Sequence, residues 1–513
     1  MRKNTVGIAF GLSAVFTASG IAQAQPAHQP APPPAASSAA PPGAPPMPAD
    51  YVPASTTPVP IPADLLKIEP NGLTAEQVAL RAAQTSFNAR AAEENLRGAA
   101  ARVDAAWASF LPRLTGTARY TRLSDFTVPS LGSVVGTNAP QGPINPLALP
   151  PGTGFYAANL SFPIVLNQWL FQANITVPIS DYFLRINQNY TAATHSQAAY
   201  RFDAIAAKAK AYSDGKVAYY TWLRARGAVI VAVQALNDQK THLKDAQNQF
   251  QAGNASRADV LRAETAVSSA ELAVERAKNL MDLAEKQMRV AMHSAEGDAF
   301  LPGEQLDAPL PALQGNLKQM TLEAVSARFE VKSIDANAES ARQQMAVVRA
   351  GRYPQVSAFA DGIYANPNPR RFPATQDWFA TWDVGAQVIW SPNDLVVADA
   401  SVVDAEARVN ALQAQRGVVR DGIEIEVVQA YQAVREADFS IDAGRRELAS
   451  AIEAHRVARE LFTNGRGTST TLTDAESELT RARLDVLNAH IDARVSRIRL
   501  DHALGRDTKP FTS

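Results

Sequence analysis

The chain has 513 residues with 49 Lys+Arg against 50 Asp+Glu, and only 7% of its residues are aromatic. That balance argues against a basic nucleic-acid binder. Cysteine is absent, which excludes a disulfide framework, a thiolate metal site and a lipid-modified cysteine after a signal.

In chain order, MRKNTVGIAFGLSAVFTASGIAQAQ joins a basic start at Arg2-Lys3 to an apolar run from about Val6 to Ala18. The small-x-small site Ala22-Gln23-Ala24 follows, and together these predict a secretory signal peptide over 1–24. Residues 25–62 hold 14 of the 33 prolines among Ala, Ser and Gln. Such a composition cannot build a core, and a disordered linker is expected there. Beyond the signal no run of about 18 apolar residues appears. This excludes transmembrane helices but leaves a β-barrel open, because barrel strands alternate and escape hydropathy scans.

Proline then maps the remainder, since a proline inside a helix costs roughly 3 kcal/mol. Four stretches contain none: 71–111, 179–301, 312–353 and 393–509. All are rich in Ala, Leu, Glu, Gln and Arg, with apolar residues at three- and four-residue spacing, and each is predicted helical. Each long stretch is interrupted once by a glycine, Gly253 and Gly465, followed by a small hydroxyl residue. Ser256 with Asp259 has capping-box spacing, as does Thr473 with Glu476. Each interruption is therefore the tip of a helical hairpin, with an arm on the order of 100 Å long from about Ser180 to Phe250. An arm of that length needs neighbours to bury its apolar stripe.

Between the helical stretches the period changes to two. Strands are predicted at 114–123, 168–179, 355–365 and 378–390. In the second, Trp169, Phe171, Ala173, Ile175 and Val177 share a face opposed by Gln168, Gln172, Asn174 and Thr176. In the fourth, Trp378, Ala380, Trp382, Val384, Ala386, Val388 and Trp390 are opposed by Thr381, Asp383 and Gln387. Aromatic residues stand at the strand ends. The lipid-facing girdle expected from them comprises Trp169, Phe171, Trp378, Trp382, Trp390, Tyr120 and Tyr364. The joining loops, 124–167 and 366–377, are rich in Pro, Gly and Asn.

The whole order is written twice. FQAGNASRADVLRAETAV (250–267) has an echo in FTNGRGTSTTLTDAESEL (462–479), ITVPIS (175–180) in AQVIWS (386–391), FLPRL (110–114) in RYPQV (352–356), and LTAEQVALRA (73–82) in MTLEAVSARF (320–329). The repeats run over 63–301 and 302–506, leaving a tail at 507–513. Four strands cannot close a barrel, and open edges in hydrocarbon strand backbone groups, so oligomerisation is expected; three copies supply twelve strands.

The strand-ending FLPRL and RYPQV, the turns VPISDYF and VIWSPND and the two tip phrases make residues 64–506 resemble the TolC-like outer membrane efflux protein family. The resemblance implies a mixed α and β homotrimer, with a 12-stranded outer-membrane β-barrel continuous with a periplasmic α-helical tunnel. It implies a passive exit duct in the outer membrane of a Gram-negative bacterium, its barrel set in outer membrane lipids. Its partners would be a periplasmic adaptor protein and an inner-membrane transporter of RND or ABC type. It carries an adaptor-docking role onto the tips, Gly253, Asn254, Ser256, Gly465, Arg466 and Thr468. Similar proteins narrow the entrance with an Asp-x-x-Asp pattern after the second tip; here Thr471 stands at the first position and Asp474 at the second.

The same residues have plainer readings. The tip residues could only turn the chain and cap the next helix, and Asp474 could be a helix-start acid favoured by the helix dipole. A periplasmic coiled-coil adaptor or a structural envelope protein without a channel are the alternatives for the whole chain; duplication opposes the first and the aromatic girdles the second. No catalytic constellation, metal site or cofactor is expected, because His28, His195, His242, His293, His455, His490 and His502 show no ligand spacing and read as solvated residues.

Overall fold

The computed structural model describes residues 72–125, 133–137, 151–159, 164–295 and 300–511. Two units divide the chain, Met1–Thr57 and Pro58–Ser513, and all described residues lie in the second. The signal peptide, the proline-rich linker and much of the 124–167 loop fall outside the described residues.

The first copy opens with α1 (Ala75–Thr85) and α2 (Phe87–Ala108), continues through strands to a short helical turn, α3 (Ile179–Asp181), and ends in α4 (Asn187–Gln251) and α5 (Arg257–Met292). The second runs α6 (Leu317–Ala327), α7 (Phe329–Arg349), two strands, α8 (Asp394–Thr463) and α9 (Ser469–Ala503). The 65 residues of α4 and 70 of α8 make arms of about 100 Å at 1.5 Å per residue.

The core sits where the helices of the two copies meet. Val78 of α1, Tyr219 and Trp222 of α4, Met288 and Met292 of α5, and Leu487 and Ile491 of α9 form one buried cluster with Phe300 and Leu306. The segment after α5 crosses here: Gly303 donates its N–H to Leu73 O at 2.9 Å. A Cβ on Gly72 would lie 2.3 Å from Pro302 O, and one on Gly303 2.4 Å from Gly72 O, so these two backbones meet as only glycine permits. Glu304 then accepts from the Ala75 N–H and, at 2.6 Å, from the Tyr220 hydroxyl. Burial first, and this carboxylate second, push the Tyr220 phenol far above its usual range. A second cluster joins Met320 and Ala324 of α6 to Ile423, Val427 and Val434 of α8 and Leu500 of α9.

Strands β1 (Arg113–Arg122), β4 (Asn167–Val177), β5 (Gln355–Asn366) and β6 (Phe379–Ile389) form one antiparallel sheet in the order β1-β4-β5-β6. It joins the two copies through β4 and β5, and among the described residues β1 and β6 each pair on one side only.

Several expectations need correction. A second, two-stranded sheet pairs β2 (Ser133–Thr137) with β3 (Phe155–Asn159), inside the stretch read as loop; the described residues therefore hold six strands rather than four. The two shorter helical stretches are each broken once, at Ser86 (ψ 125°) and Arg328 (ψ 129°), where one residue turns extended without help from proline or glycine. Ser86 caps the next helix by accepting from Ala89 N–H. Arg328 has no such cap, and its buried guanidinium instead binds Glu330, Glu426 and the His502 carbonyl. A wider π-type turn, Tyr182–Ile186, precedes α4; periodicity has no signal for it. Finally, the second tip is capped by Thr468, which accepts from Thr471 N–H, while Thr473 lies inside α9 and Glu476 is buried, so the expected Thr473–Glu476 box does not exist.

Candidate functional site

The sheet separates two chemistries by pleat alone. Register places Leu114, Ile175, Ala360 and Val384 in one row, Gly116, Ala173, Gly362 and Trp382 in the next, and Ala118, Phe171, Tyr364 and Ala380 in a third. These rows share one face because side chains alternate. The opposite face carries Thr115, Thr117, Gln172, Asn174, Asp361, Asp383 and Gln387. Gln172 donates to Asp361 Oδ1 at 2.8 Å. One apolar face thus runs across all four strands, and the other gathers the polar residues, interrupted by Leu170, Phe359, Ile363 and Phe379.

Aromatic residues gather at the loop end of the apolar face. Tyr120 lies 4.5 Å from Trp169 between ring centroids, and Trp378 stacks against both Tyr364 (5.0 Å) and Phe171 (5.9 Å). Trp390, exposed, directly follows the last residue of β6 on the helical side. Trp382 belongs to neither end: it sits mid-sheet in the row of Gly116, Ala173 and Gly362, where small neighbours leave room for its ring.

Both hairpin tips use one local geometry. At the first, Gly253 takes φ 79°, and the N–H groups of Asn254 and Ala255 return to Gln249 O at 2.9 and 3.2 Å. At the second, Gly465 takes φ 68°, and Arg466 and Gly467 return to Leu461 O at 2.8 and 2.9 Å. This is left-handed helix termination, which glycine adopts without a Cβ penalty. A Cβ on either glycine would meet nothing within 4 Å, so the requirement is conformational and the outer surface of each tip is open. Ser256 then caps α5 in a complete capping box: it accepts from Asp259 N–H, and Asp259 accepts from the Ser256 N–H and hydroxyl. Those hydrogen bonds, with Arg262 beside them, hold the Asp259 carboxyl below its usual range. The tips are tied together where Gln249 donates to Thr463 O at 2.7 Å.

Just behind the tips lies a buried polar knot absent from the sequence reading. His242 of α4, 1% exposed, places Nδ1 3.0 Å from Glu476 Oε2 and Nε2 3.2 Å from Ser469 Oγ, both on α9. Phe462 packs edge-on against the imidazole at 5.2 Å, above an apolar cluster of Ala246, Ala263, Ala458 and Leu472. His490, further along α9, is also buried, and burial together with Arg445 and Arg494 lowers its pKa to about 4. The reading of all seven histidines as solvated therefore fails at these two. The available signal was Glu476 standing between Leu472 and Leu479 on one apolar stripe: a carboxylate there needs a buried partner.

Thr471 and Asp474 both lie on the exposed side of α9, away from buried Leu472 and Glu476. Because α9 begins at Ser469, Asp474 lies beyond the first turn, and no acid occupies that turn. Helix-dipole stabilisation falls off within the first turn, so it gives Asp474 little reason to be acidic.

Among the described residues, no helix is long and apolar enough to cross a membrane, and no group of three or more His, Asp or Glu residues could hold a metal ion. No curated protein matches the sequence. In three dimensions the chain is similar to VceC, an outer membrane protein of Vibrio cholerae, at 16% identity and TM-score 0.64, covering 84% of this chain and 96% of that one. The MtrE outer membrane channel of Neisseria gonorrhoeae, in its open state, is similar at 17% identity and TM-score 0.65, covering 84% and 88%. The CmeC outer membrane channel of Campylobacter jejuni follows at 15% identity and TM-score 0.63, covering 86% and 91%. The outer membrane efflux protein family matches the sequence itself over 78–292 and 322–506, one segment in each half of the duplication, and the chain belongs to that family.

Proposed function

We propose that the protein is the exit duct of a tripartite efflux or type I secretion system in the outer membrane of a Gram-negative bacterium. Three chains close a 12-stranded barrel whose polar face lines the passage, and the helical hairpins continue it as a tunnel through the periplasm. Substrates arrive from an inner-membrane transporter through an adaptor protein and leave passively; no bond is made or broken. The observation that carries this reading is the four-stranded sheet with one apolar face, one largely polar face and two outer strands, joined in one chain to two hairpins that each have one arm of about 100 Å. A soluble coiled-coil adaptor has no use for such a sheet.

The tips are the docking surface in this account. Each presents an outward glycine turn with a hydroxyl cap, Gly253 with Ser256 and Gly465 with Thr468, and a threefold assembly offers both kinds in alternation around one entrance. The test is in-cell photo-crosslinking from positions 256 and 468, with products identified by mass spectrometry. A periplasmic protein containing a helical hairpin is expected at both positions. Crosslinks only to cytoplasmic or extracellular proteins would contradict the assignment.

A further inference from the structure

The β5–β6 connection does not stand away from the sheet. Asn368 is 2% exposed, and its amide nitrogen donates to Phe379 O at 3.0 Å and to Thr381 Oγ1 at 3.1 Å. Its Oδ1 accepts from Arg370 N–H at 2.9 Å, which aims the Arg370 side chain, and the Arg371 guanidinium lies 3.6 Å over the Phe379 ring. Arg370 Nη2 binds Asp361 Oδ2 at 3.0 Å and also pairs with Asp383. Asp361 lies five residues before the end of β5, roughly 16 Å back along the strand at 3.3 Å per residue. The loop has therefore turned over the polar face. Between it and Arg119, Thr121 and Gln168 of β1 and β4 remains a cavity of about 400 Å³.

The charges explain why it stays there. Asp361 and Asp383 are direct cross-strand partners, and like charges so placed repel. Gln172 satisfies one oxygen of Asp361 without neutralising it. Arg370 is the cation bound to both carboxylates, so the strands carry a repulsion that the loop relieves.

We propose that residues 367–378 form a strap folded into the passage at the end remote from the helices, and that Arg370, bound to Asp361 and Asp383, sets the width and cation preference of the exit. This rests on the reading of the polar face as the channel lining. With Arg370 in place the three groups carry a net charge of minus one per chain; without it, minus two. Losing the arginine therefore frees the strap and deepens the negative potential.

The absence of cysteine makes single-thiol reporters clean. Gln387→Cys places a thiol on the polar face beyond the strap, and Phe372→Cys places one at a solvent-exposed position on the strap itself. Intact cells are treated with a membrane-impermeant cationic methanethiosulfonate, in otherwise native and in Arg370→Gln backgrounds. Position 372 should label quickly in both, and position 387 at least severalfold faster in Arg370→Gln, while Arg370→Lys, which keeps the charge, stays near native. Equal labelling at 387 in native and Arg370→Gln chains, with 372 reactive, would overturn the strap and leave the duct standing. No labelling at 372 would overturn the duct reading and the strap with it. For the charge, the potassium-over-chloride preference of purified trimers in planar bilayers should rise in Arg370→Gln and fall in Asp361→Asn/Asp383→Asn; an unchanged preference in both overturns that role.

Discussion

Asp474 stands on the exposed side of α9 one turn past the tip. In a threefold tube, three such carboxylates would meet at the entrance, attract cations and repel one another when it is closed. Asp474→Asn should weaken cation selectivity and block by multivalent cations in planar bilayers, and unchanged behaviour would move the constriction elsewhere on the returning helices. Gly465 offers a contrasting case, because its φ of 68° burdens other residues while its Cβ direction is empty. Gly465→Leu should cost about 1–2 kcal/mol locally, leave trimers at near-normal levels, and reduce the crosslinks from position 468; loss of the trimer would show instead that the turn is needed for folding. His490 gives a pH dependence with a definite sign. Its pKa falls from an unfolded value of 6.5 to about 4, so between those values the unfolded chain binds more protons. This contribution, about 3 kcal/mol as an order of magnitude, is complete above pH 6.5 and is lost as pH falls toward 4. The thermal midpoint of the native protein should therefore drop more steeply over that window than that of His490→Asn; parallel curves would contradict it.

At the scale of elements, the pleat makes the sharpest forecast. Val384 is exposed near the middle of β6 on the apolar face, and Gln387 on the same strand faces the polar side. Val384→Arg should cost about 2–4 kcal/mol per chain and reduce assembly in the membrane, whereas Gln387→Arg should be tolerated. Equal yields from the two would contradict this assignment of faces, and a larger loss in Gln387→Arg would mean that they are reversed. This division was legible in the sequence because period two needs no partner to be seen: Trp169 to Val177 alternate with Gln168 to Thr176 whatever lies beside them. The tips were legible for a similar reason, since Gly253 with Ser256 and Asp259 is a wholly local signal. What escaped notice depends on distant residues. The breaks at Ser86 and Arg328 carry no proline or glycine, and Arg328 is held by Glu426, 98 positions away. His242 and Glu476 are 234 positions apart and meet only because α4 packs on α9. Thr473 was misplaced as a cap because Thr468, five residues earlier, supplies the same chemistry one turn sooner.

On the scale of the molecule, one chain leaves much unfinished. Leu261, Leu272, Leu280, Leu283 and Val290 on α5, and Val396, Val403, Val418, Ile425 and Phe439 on α8, remain exposed along the arms. Contiguous apolar surface of this kind marks an interface. The sheet ends at β1 on one side and β6 on the other, and since its four strands alternate in direction, β6 of one copy and β1 of the next would also pair antiparallel. A single threefold axis would cover the helical stripes and pair both outer strands of the sheet. The most direct test is the mass of the assembly extracted from membranes in mild detergent, read by native mass spectrometry or by light scattering with the detergent contribution removed. Three chains, recovered from the outer-membrane fraction and separating on heating, is the predicted result; a stable single chain in the soluble fraction would contradict the account.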